Sequence, residues 1–240
     1  MDSVASAQQV GLSLYLSTFA ILQQNQLRPL PFATAQASSE DGEPQMVATK
    51  TVGLPNWPKT WPSPSDEEKG HGSHDVAARI AAKLDANGTV YEHLGPHDPC
   101  RTSADSVTVR QACGWLDTTL KSGAKAMLLV SKDQGPALIV MPADGRLSWR
   151  KTRAILPGSK KSEWRLASEE EVDRITGGCV PGSVPPFGSV FRESVPTYAD
   201  IGMGDRGFIN FNCGLRTRSI KLSLVDFLAV EQPITGEFTE

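Results

Sequence analysis

The chain has 240 residues, 39% of them hydrophobic, and a formal net charge of −3. This length accommodates one large domain or one ordinary domain with an extension, and the weakly acidic balance excludes a general nucleic-acid coat protein. No apolar run approaches the ~20 residues that are needed to cross a membrane. The four cysteines are scattered, which excludes a disulfide framework or a zinc knuckle and predicts reduced thiols in a cytoplasmic protein.

Residues 1–72 are predicted to be an N-terminal extension, with one apolar helix at 10–22 followed by a Pro- and Ser-rich linker. The apolar run has the length of a signal-peptide core, but Asp2 and the absence of Lys or Arg before Arg28 oppose that interpretation. We therefore expect no targeting role. Two alternatives stay open, namely an amphipathic helix that docks on the domain or on a partner, and an extension upstream of an internal start at Met46.

The folded unit is predicted to cover residues 73–232, with 233–240 as a C-terminal tail. Ser73, Thr102 and Ser168 each precede a helical pattern and are predicted N-caps. Further helices are predicted at 147–156 and 223–229, and strands at 89–94, 126–130, 137–140, 189–192, 197–201, 207–212 and 218–222. This mixed order predicts an α+β domain with a mostly antiparallel sheet.

The segment 181–188, with the sequence PGSVPPFG, has an unusual backbone composition. Its two glycines permit positive φ values, and its consecutive prolines fix φ and remove two N–H donors. The remaining amides are therefore held in fixed positions, from which they can donate hydrogen bonds to a small polar ligand. A rigid turn between two strands is the alternative that the composition leaves open.

Two basic features precede that loop. Lys125 opens a strongly apolar strand, where a charged side chain either reaches a cleft or an anion or is simply exposed at the strand end. Residues 144–165 then form a basic strip that predicts contact with the phosphates of a discrete RNA end, with an ordinary solvated helix and loop as the alternative. The seven bases of the strip are Arg146, Arg150, Lys151, Arg153, Lys160, Lys161 and Arg165.

Three further patterns are interpreted as structural. The GxGxxG at 202–207 precedes a strand where a dinucleotide fingerprint requires a helix, so we predict a hairpin turn. His71, His74, His93 and His97 lack the convergence that zinc requires, so we expect neither a metal nor a cofactor, with a zinc enzyme as the alternative. Ser183 lies outside any nucleophile motif.

The order and spacing of Lys125, the segment 165–177, the 181–188 loop and the FNCG motif at 211–214 resemble the YbaK/ProX family, also called the prolyl-tRNA synthetase-associated or INS editing domains. The resemblance covers roughly residues 74–232 and implies a mixed, partly closed β-sheet flanked by helices. It also implies a freestanding deacylase that hydrolyses the ester of a mischarged aminoacyl-tRNA with a small amino acid, for example on tRNA-Pro. The implied partners are the aminoacyl-tRNA acceptor end and an aminoacyl-tRNA synthetase, with no membrane and a monomeric state.

The resemblance further implies roles for individual residues. Lys125 is expected to be the catalytic residue, relatives recruit a ribose hydroxyl of the substrate, and the loop amides are expected to stabilise the oxyanion. The expected substrate-binding residues are Gly182, Ser183, Val184, Pro185, Pro186, Phe187 and Gly188 of the loop, Asn212 and Gly214 of another wall, and Thr102 and Ser103 at the entrance.

The chain departs from the family pattern at Ala126, Pro185 and Asn212, where many relatives carry Thr, Thr and Ser, and at Ser219, where some relatives carry Asp. The departures at Ala126 and Ser219 favour a second hypothesis, a non-catalytic tRNA- or synthetase-binding module that keeps the fold without hydrolysis. Hydrolysis of another aminoacyl ester is a third.

Overall fold

The computed structural model describes residues 68–158, 163–204 and 206–240. The predicted helix at 10–22 and most of the predicted linker therefore lie outside the described residues, as do Lys160 and Lys161 of the basic strip. All described residues belong to the compact unit Trp57–Glu240. No helix among them is long and apolar enough to span a bilayer.

The described helices and strands follow the predicted order closely. The three predicted caps are confirmed: the Ser73 hydroxyl accepts from the Val76 amide, and Thr102 and Ser168 each form a reciprocal capping box. In chain order the elements are α1 (His74–Ala86), β1 (Tyr91–Leu94), α2 (Ser103–Ala112), β2 (Ala124–Ser131), β3 (Gly135–Pro142), α3 (Trp149–Ile155), β4 (Arg165–Leu166), α4 (Glu169–Thr176), β5 (Thr197–Asp200), β6 (Phe208–Asn212), β7 (Ser219–Ser223), α5 (Leu224–Glu231) and β8 (Ile234–Gly236).

The strands form two sheets. The first has the order β1-β7-β6 and is antiparallel throughout. The second has the order β4-β2-β3-β5-β8, with antiparallel pairing around β2 and parallel pairing from β3 to β8. The predicted α+β class with mostly antiparallel pairing is confirmed, and the sheets do not close into a barrel. An isolated bridge between Gly123 and Asn210 joins them near the start of β2.

The hydrophobic core lies on both faces of the second sheet. Leu128 and Val130 point to the main core, which the first sheet and α1 also cover, whereas Leu129 points to a smaller core around Trp164 and Phe238. Side chains of a strand alternate between faces, so a strand buried on both faces is continuously apolar. This explains the apolar runs of β2 and β3.

Two predicted details are wrong. The segment at 189–192 is not a strand, because Val190 and Phe191 are both buried and their amides bond to carbonyl groups three residues earlier in a 3-10 turn. The segment 202–207 is not a hairpin turn, because β5 and β6 belong to different sheets. The predicted tail at 233–240 contributes β8 and the buried ring of Phe238, while the predicted domain boundaries stay a prediction.

Candidate active site

A cavity of about 360 Å³ lies between α2, the start of β2, the 181–188 loop and β6. Three basic side chains line it, those of Arg101, Arg110 and Lys125, and no described carboxylate does. Its other lining residues are small, polar or moderately apolar: Thr102, Ser103, Ser106, Val107, Thr119, Leu120, Gly123, Ala124, Ala126, Met127, Ala143, Gly182, Val184, Asn210, Phe211 and Asn212. This composition gives a positively charged space for a small group.

Lys125, the predicted catalytic residue, is one of the residues that line this cavity, and its role stays a prediction. Its ammonium donates a hydrogen bond to the Gly145 carbonyl oxygen at 2.8 Å, which leaves two of its three N–H donors for a ligand. Burial lowers the pKa of Lys125, and the nearby Asp144 carboxylate partly opposes that effect.

The first half of the 181–188 loop reaches the cavity through Gly182 and Val184. Gly182 adopts φ +87°, and a Cβ there would lie 3.0 Å from the Arg101 carbonyl oxygen, so this position requires glycine. Ser183 does not line the cavity, because its amide donates to the Val180 carbonyl oxygen at 2.9 Å and its hydroxyl bonds to the same residue.

The second half of the loop turns away from the cavity. Phe187 is fully buried against the rings of Phe211 and Phe227, and the Gly188 amide donates to the Thr197 hydroxyl at 3.1 Å. Burial of an aromatic ring in the core is more favourable than its exposure at a polar cleft. The residues that shape the loop without lining the cavity are Ser183, Pro185, Pro186, Phe187 and Gly188.

The opposite wall is formed by the end of β6. Asn212 lines the cavity, and its Nδ2 donates to the Gly182 carbonyl oxygen at 2.7 Å, which connects β6 to the loop. Gly214 does not line the cavity; it has φ +96° and bonds through its backbone to Ser73 and Ser183.

The predicted entrance residues Thr102 and Ser103 both line the cavity, at the N-terminus of α2. The Thr102 hydroxyl already accepts a hydrogen bond from the Asp105 amide at 3.1 Å, so this side chain is fixed as the helix cap.

Arg110 is a buried basic residue that lines the cavity, and it was not predicted from the sequence. It is only 3% exposed, and its guanidinium donates to Ser219 Oγ at 2.9 Å, to Asn210 Oδ1 at 2.5 Å and to Asn212 Oδ1 at 2.8 Å. Burial lowers the pKa of Arg110 to about 10, so it remains protonated at neutral pH. Its partners lie 100 or more residues later in the chain, and no local pattern marks such a contact.

Ser219 connects this arginine to His97. Nδ1 of His97 lies 2.8 Å from the Asp98 carbonyl oxygen and must carry the proton, so Nε2 accepts a hydrogen bond from the Ser219 hydroxyl at 2.9 Å. Burial, together with the nearby Arg110 and Arg218, lowers the pKa of His97, while its bond to Asp98 opposes this. The histidine is therefore a neutral acceptor that orients the hydroxyl toward itself.

The described part of the basic strip lies outside the cavity lining. Arg165 forms a two-point ion pair with Glu171, both bonds being 2.7 Å long, and Lys151 lies 3.2 Å from the Glu237 carboxylate. Arg150 and Arg153 are exposed on α3. Two of the five described bases of the strip are thus paired with acids, and contact of the strip with RNA stays a prediction.

Among the described residues, no group of three or more His, Cys, Asp or Glu side chains is arranged to hold a metal ion. His74 lies 3.7 Å from the buried Glu68 carboxylate, whereas His97 contacts Ser219, so these two rings belong to different contacts.

The matches to known proteins include the part of the chain that forms the cavity. The family model of the aminoacyl-tRNA editing domain matches residues 97–230, a range that contains every residue lining the cavity. The multifunctional Ser/Thr-tRNA deacylase ProXp-y of Escherichia coli strain K12 is 34% identical over 120 residues, which are 48% of this chain and 68% of that relative.

Two solved structures share the fold. A candidate trans-editing enzyme for prolyl tRNA synthetase superposes with a TM-score of 0.55 at 22% identity, covering 69% of this chain and 97% of the other. A protein described only as hypothetical gives a TM-score of 0.56 at 20% identity, covering 68% and 99%. At these identities the likeness concerns the fold.

Proposed function

Because the chain belongs to the aminoacyl-tRNA editing domain family, of the YbaK/ProX type, we propose that it is a freestanding deacylase of mischarged aminoacyl-tRNA. The observation that carries this proposal is the family match over 97–230, which contains Lys125 and the whole lining of the cavity. The reaction is hydrolysis of the ester between an amino acid and the terminal ribose of the tRNA.

The cavity supports this chemistry through electrostatics and position. Water adds to the ester carbonyl carbon, the carbonyl oxygen takes up negative charge, and the ribose oxygen leaves with a proton. An activated ester needs stabilisation of that oxyanion more than a strong base. Lys125 is the proposed stabilising cation, since its ammonium has two N–H donors beyond the bond to Gly145.

Fewer of the loop amides are available to stabilise the oxyanion than the sequence predicted. The amides of Ser183 and Gly188 donate to other groups in the fold, so they are not available to an oxyanion. Gly182 and Val184 are the loop residues at the cavity, and we assign any main-chain contribution to them.

The proposed substrates carry serine or threonine. The relative with 34% identity is a Ser/Thr-tRNA deacylase, and the walls of the cavity here hold the hydroxyl groups of Ser103, Ser106 and Thr119. A site that hydrogen-bonds a substrate hydroxyl discriminates strongly against an analogue that lacks it. We therefore expect slower hydrolysis of an alanyl ester. Preference for tRNA-Pro, contact with a synthetase, a monomeric state and a cytoplasmic location stay predictions.

The test is deacylation of a panel of labelled Ser-, Thr- and Ala-tRNA, each also on a tRNA with the proline anticodon. Wild type should hydrolyse the seryl or threonyl species, Lys125→Ala should lose this activity, and Lys132→Ala should keep it, since Lys132 is exposed on the turn between β2 and β3. Equal rates for Lys125→Ala and wild type would contradict the role of Lys125.

The second candidate function is a binding module without hydrolysis. It is favoured by the bond that already holds Lys125 to Gly145 and by the departures at Ala126 and Ser219. In that case the panel is deacylated no faster than in buffer alone, while filter binding still detects a complex with tRNA or with a synthetase.

A further inference from the structure

Arg110 carries a positive charge that none of its described hydrogen-bond partners neutralises. The residue is 3% exposed, and its three described hydrogen-bond partners, Ser219, Asn210 and Asn212, are all neutral. Taking an isolated cation out of water is costly unless an anion or several strong acceptors compensate it. A neutral side chain of similar shape would avoid that cost, so the retained charge requires another explanation.

The guanidinium also has unused donor capacity. Arginine has five N–H donors, and the three bonds to Ser219, Asn210 and Asn212 occupy one each. Two N–H groups, one on each terminal nitrogen, therefore remain. Because Arg110 lines the cavity, a ligand there is the partner in reach. An N–H group on each terminal nitrogen allows a guanidinium to recognise a phosphate or a carboxylate at two points.

The position of this charge is fixed from several directions. Asn212 accepts from Arg110 through Oδ1 and donates to Gly182 through Nδ2, and Ser219 accepts from Arg110 while its hydroxyl donates to His97. Side chains from β6, β7 and the segment before α2 thus hold the guanidinium in one orientation. Such preorganisation lowers the entropic cost of binding.

The other two basic residues of the cavity are less suited to this role. The Lys125 ammonium donates to Gly145 and lies near the Asp144 carboxylate, which partly neutralises it. Arg101 is exposed, so water screens its charge.

We propose that Arg110 anchors the phosphate of the 3′-terminal nucleotide of the tRNA in this cavity. The inference rests on the proposed function, because it takes the ligand to be an aminoacyl-tRNA end. In a seryl or threonyl end the phosphodiesters carry the negative charge, whereas the free amino group of the amino acid is a cation. A cavity with three bases and no described carboxylate favours the phosphate over the ammonium.

The experiment measures binding of adenosine 5′-monophosphate, adenosine and inorganic phosphate to the full chain by calorimetry. Wild type should bind the nucleotide about tenfold or more tightly than adenosine, as expected for hydrogen bonds to a charged group, and this advantage should shrink as salt rises. In Arg110→Gln the preference for the nucleotide over adenosine should disappear, while the affinity for adenosine stays within about threefold of the wild-type value. Inorganic phosphate should bind more weakly than the nucleotide, which distinguishes a nucleotide site from a free-phosphate site.

Two controls keep the result interpretable if the glutamine variant is unstable. Arg110→Lys keeps the charge but loses the two-point geometry, so it should retain part of the advantage. Arg174→Gln removes an exposed arginine on α4, outside the cavity, and should change neither affinity. Thermal melting of each variant identifies loss of fold.

Equal affinity of wild type for the nucleotide and adenosine would overturn the inference, and so would an advantage that survives in a folded Arg110→Gln. Either result leaves the deacylase proposal standing if the tRNA panel is hydrolysed. An Arg110-dependent advantage without hydrolysis of any tRNA would uphold the anchor and reject the proposed reaction.

Discussion

At the residue scale, the proposed role of Lys125 predicts how the deacylation rate depends on pH. Burial lowers the pKa of this lysine, so its protonated form begins to disappear at a lower pH than for an exposed lysine. The deacylation rate, corrected for hydrolysis in buffer alone, should therefore fall as pH rises through that lowered pKa. In Lys125→Arg the fall should move to higher pH, because a guanidinium stays protonated.

The measurement is kcat between pH 6.5 and 10 for the two proteins with seryl-tRNA. Superposable profiles for wild type and Lys125→Arg would show that the charge of Lys125 does not control the reaction, provided that the variant is folded and active.

His93, on β1, gives a second pH effect at the residue scale, on stability. Burial, aided by Arg218 and His97 and opposed by Glu68, lowers the pKa of His93 from 6.5 to about 4. As pH falls, the unfolded chain therefore takes up a proton at His93 near pH 6.5, whereas the folded protein takes up that proton only near pH 4. Stability from this residue is complete above pH 6.5 and is lost as pH falls through that window.

We expect the melting temperature to drop by roughly 5–10 °C between pH 7.5 and 4.5, with a smaller drop in His93→Gln. Differential scanning calorimetry at matched ionic strength measures both slopes. The same drop in the variant would assign the effect to other groups.

At the element scale, a buried ion pair attaches the segment before α1 to the turn between β6 and β7. Glu68 accepts from Arg218 at 2.6 and 2.9 Å and from the Thr217 hydroxyl at 3.0 Å, and the two charged side chains are 1% and 2% exposed. Glu68→Gln removes the Glu68 anion from the buried guanidinium of Arg218, so the free energy of unfolding should fall by about 3–5 kcal/mol.

Urea denaturation measures this change, with Glu237→Gln as the control. Glu237 pairs with Lys151 at the surface, where its side chain is 61% exposed, and its substitution should cost less than about 1 kcal/mol. If the two substitutions lowered the free energy of unfolding equally, the buried pair would not be a principal contact between the segment before α1 and the turn between β6 and β7.

The sequence was sufficient for the elements whose signals are local. Ser73, Thr102 and Ser168 are caps because each hydroxyl accepts from the amide three residues later, and that relation is visible in a short stretch of sequence. Lys125 and Gly182 were predicted at the cavity from the family resemblance. Arg110 was not, because its partners on β6 and β7 meet it only through the register of the first sheet.

The side-chain directions in the 181–192 region could not be predicted from the sequence for the same physical reason. Its prolines and glycines correctly indicate an unusual backbone, but the direction of each side chain depends on tertiary packing. Phe187 turns to Phe211 and Phe227 in the core, and no residue near it in sequence indicates those partners.

At the scale of the whole molecule, the C-terminal residues support the site from the far side of the second sheet. The Phe238 amide donates to Asp200 at 2.6 Å, and its carbonyl oxygen accepts from the Ser148 amide at 2.7 Å. Thr239 forms a bridge with Leu147, and the Glu240 amide donates to the Arg146 carbonyl oxygen. These contacts fix 146–148, next to the Gly145 carbonyl that holds Lys125.

Phe238→Ala is therefore expected to reduce both stability and activity. The ring is fully buried and packs edge-on against Tyr198 at 6.1 Å, so its removal should lower the free energy of unfolding by about 3–5 kcal/mol. Loss of this anchor should also loosen 146–148, which leaves the Lys125 ammonium less well positioned and lowers kcat under conditions where the variant is still folded.

The two effects separate in a comparison with Ile234→Ala, which removes a side chain that is 54% exposed on β8. This control should change the free energy of unfolding by about 0.5 kcal/mol or less and leave kcat intact. If Phe238→Ala loses stability but keeps the wild-type kcat well below its melting temperature, the C-terminal residues stabilise the smaller core without positioning Lys125. A loss of kcat in Phe238→Ala alone would instead connect that core, through 146–148, to the chemistry of the cavity.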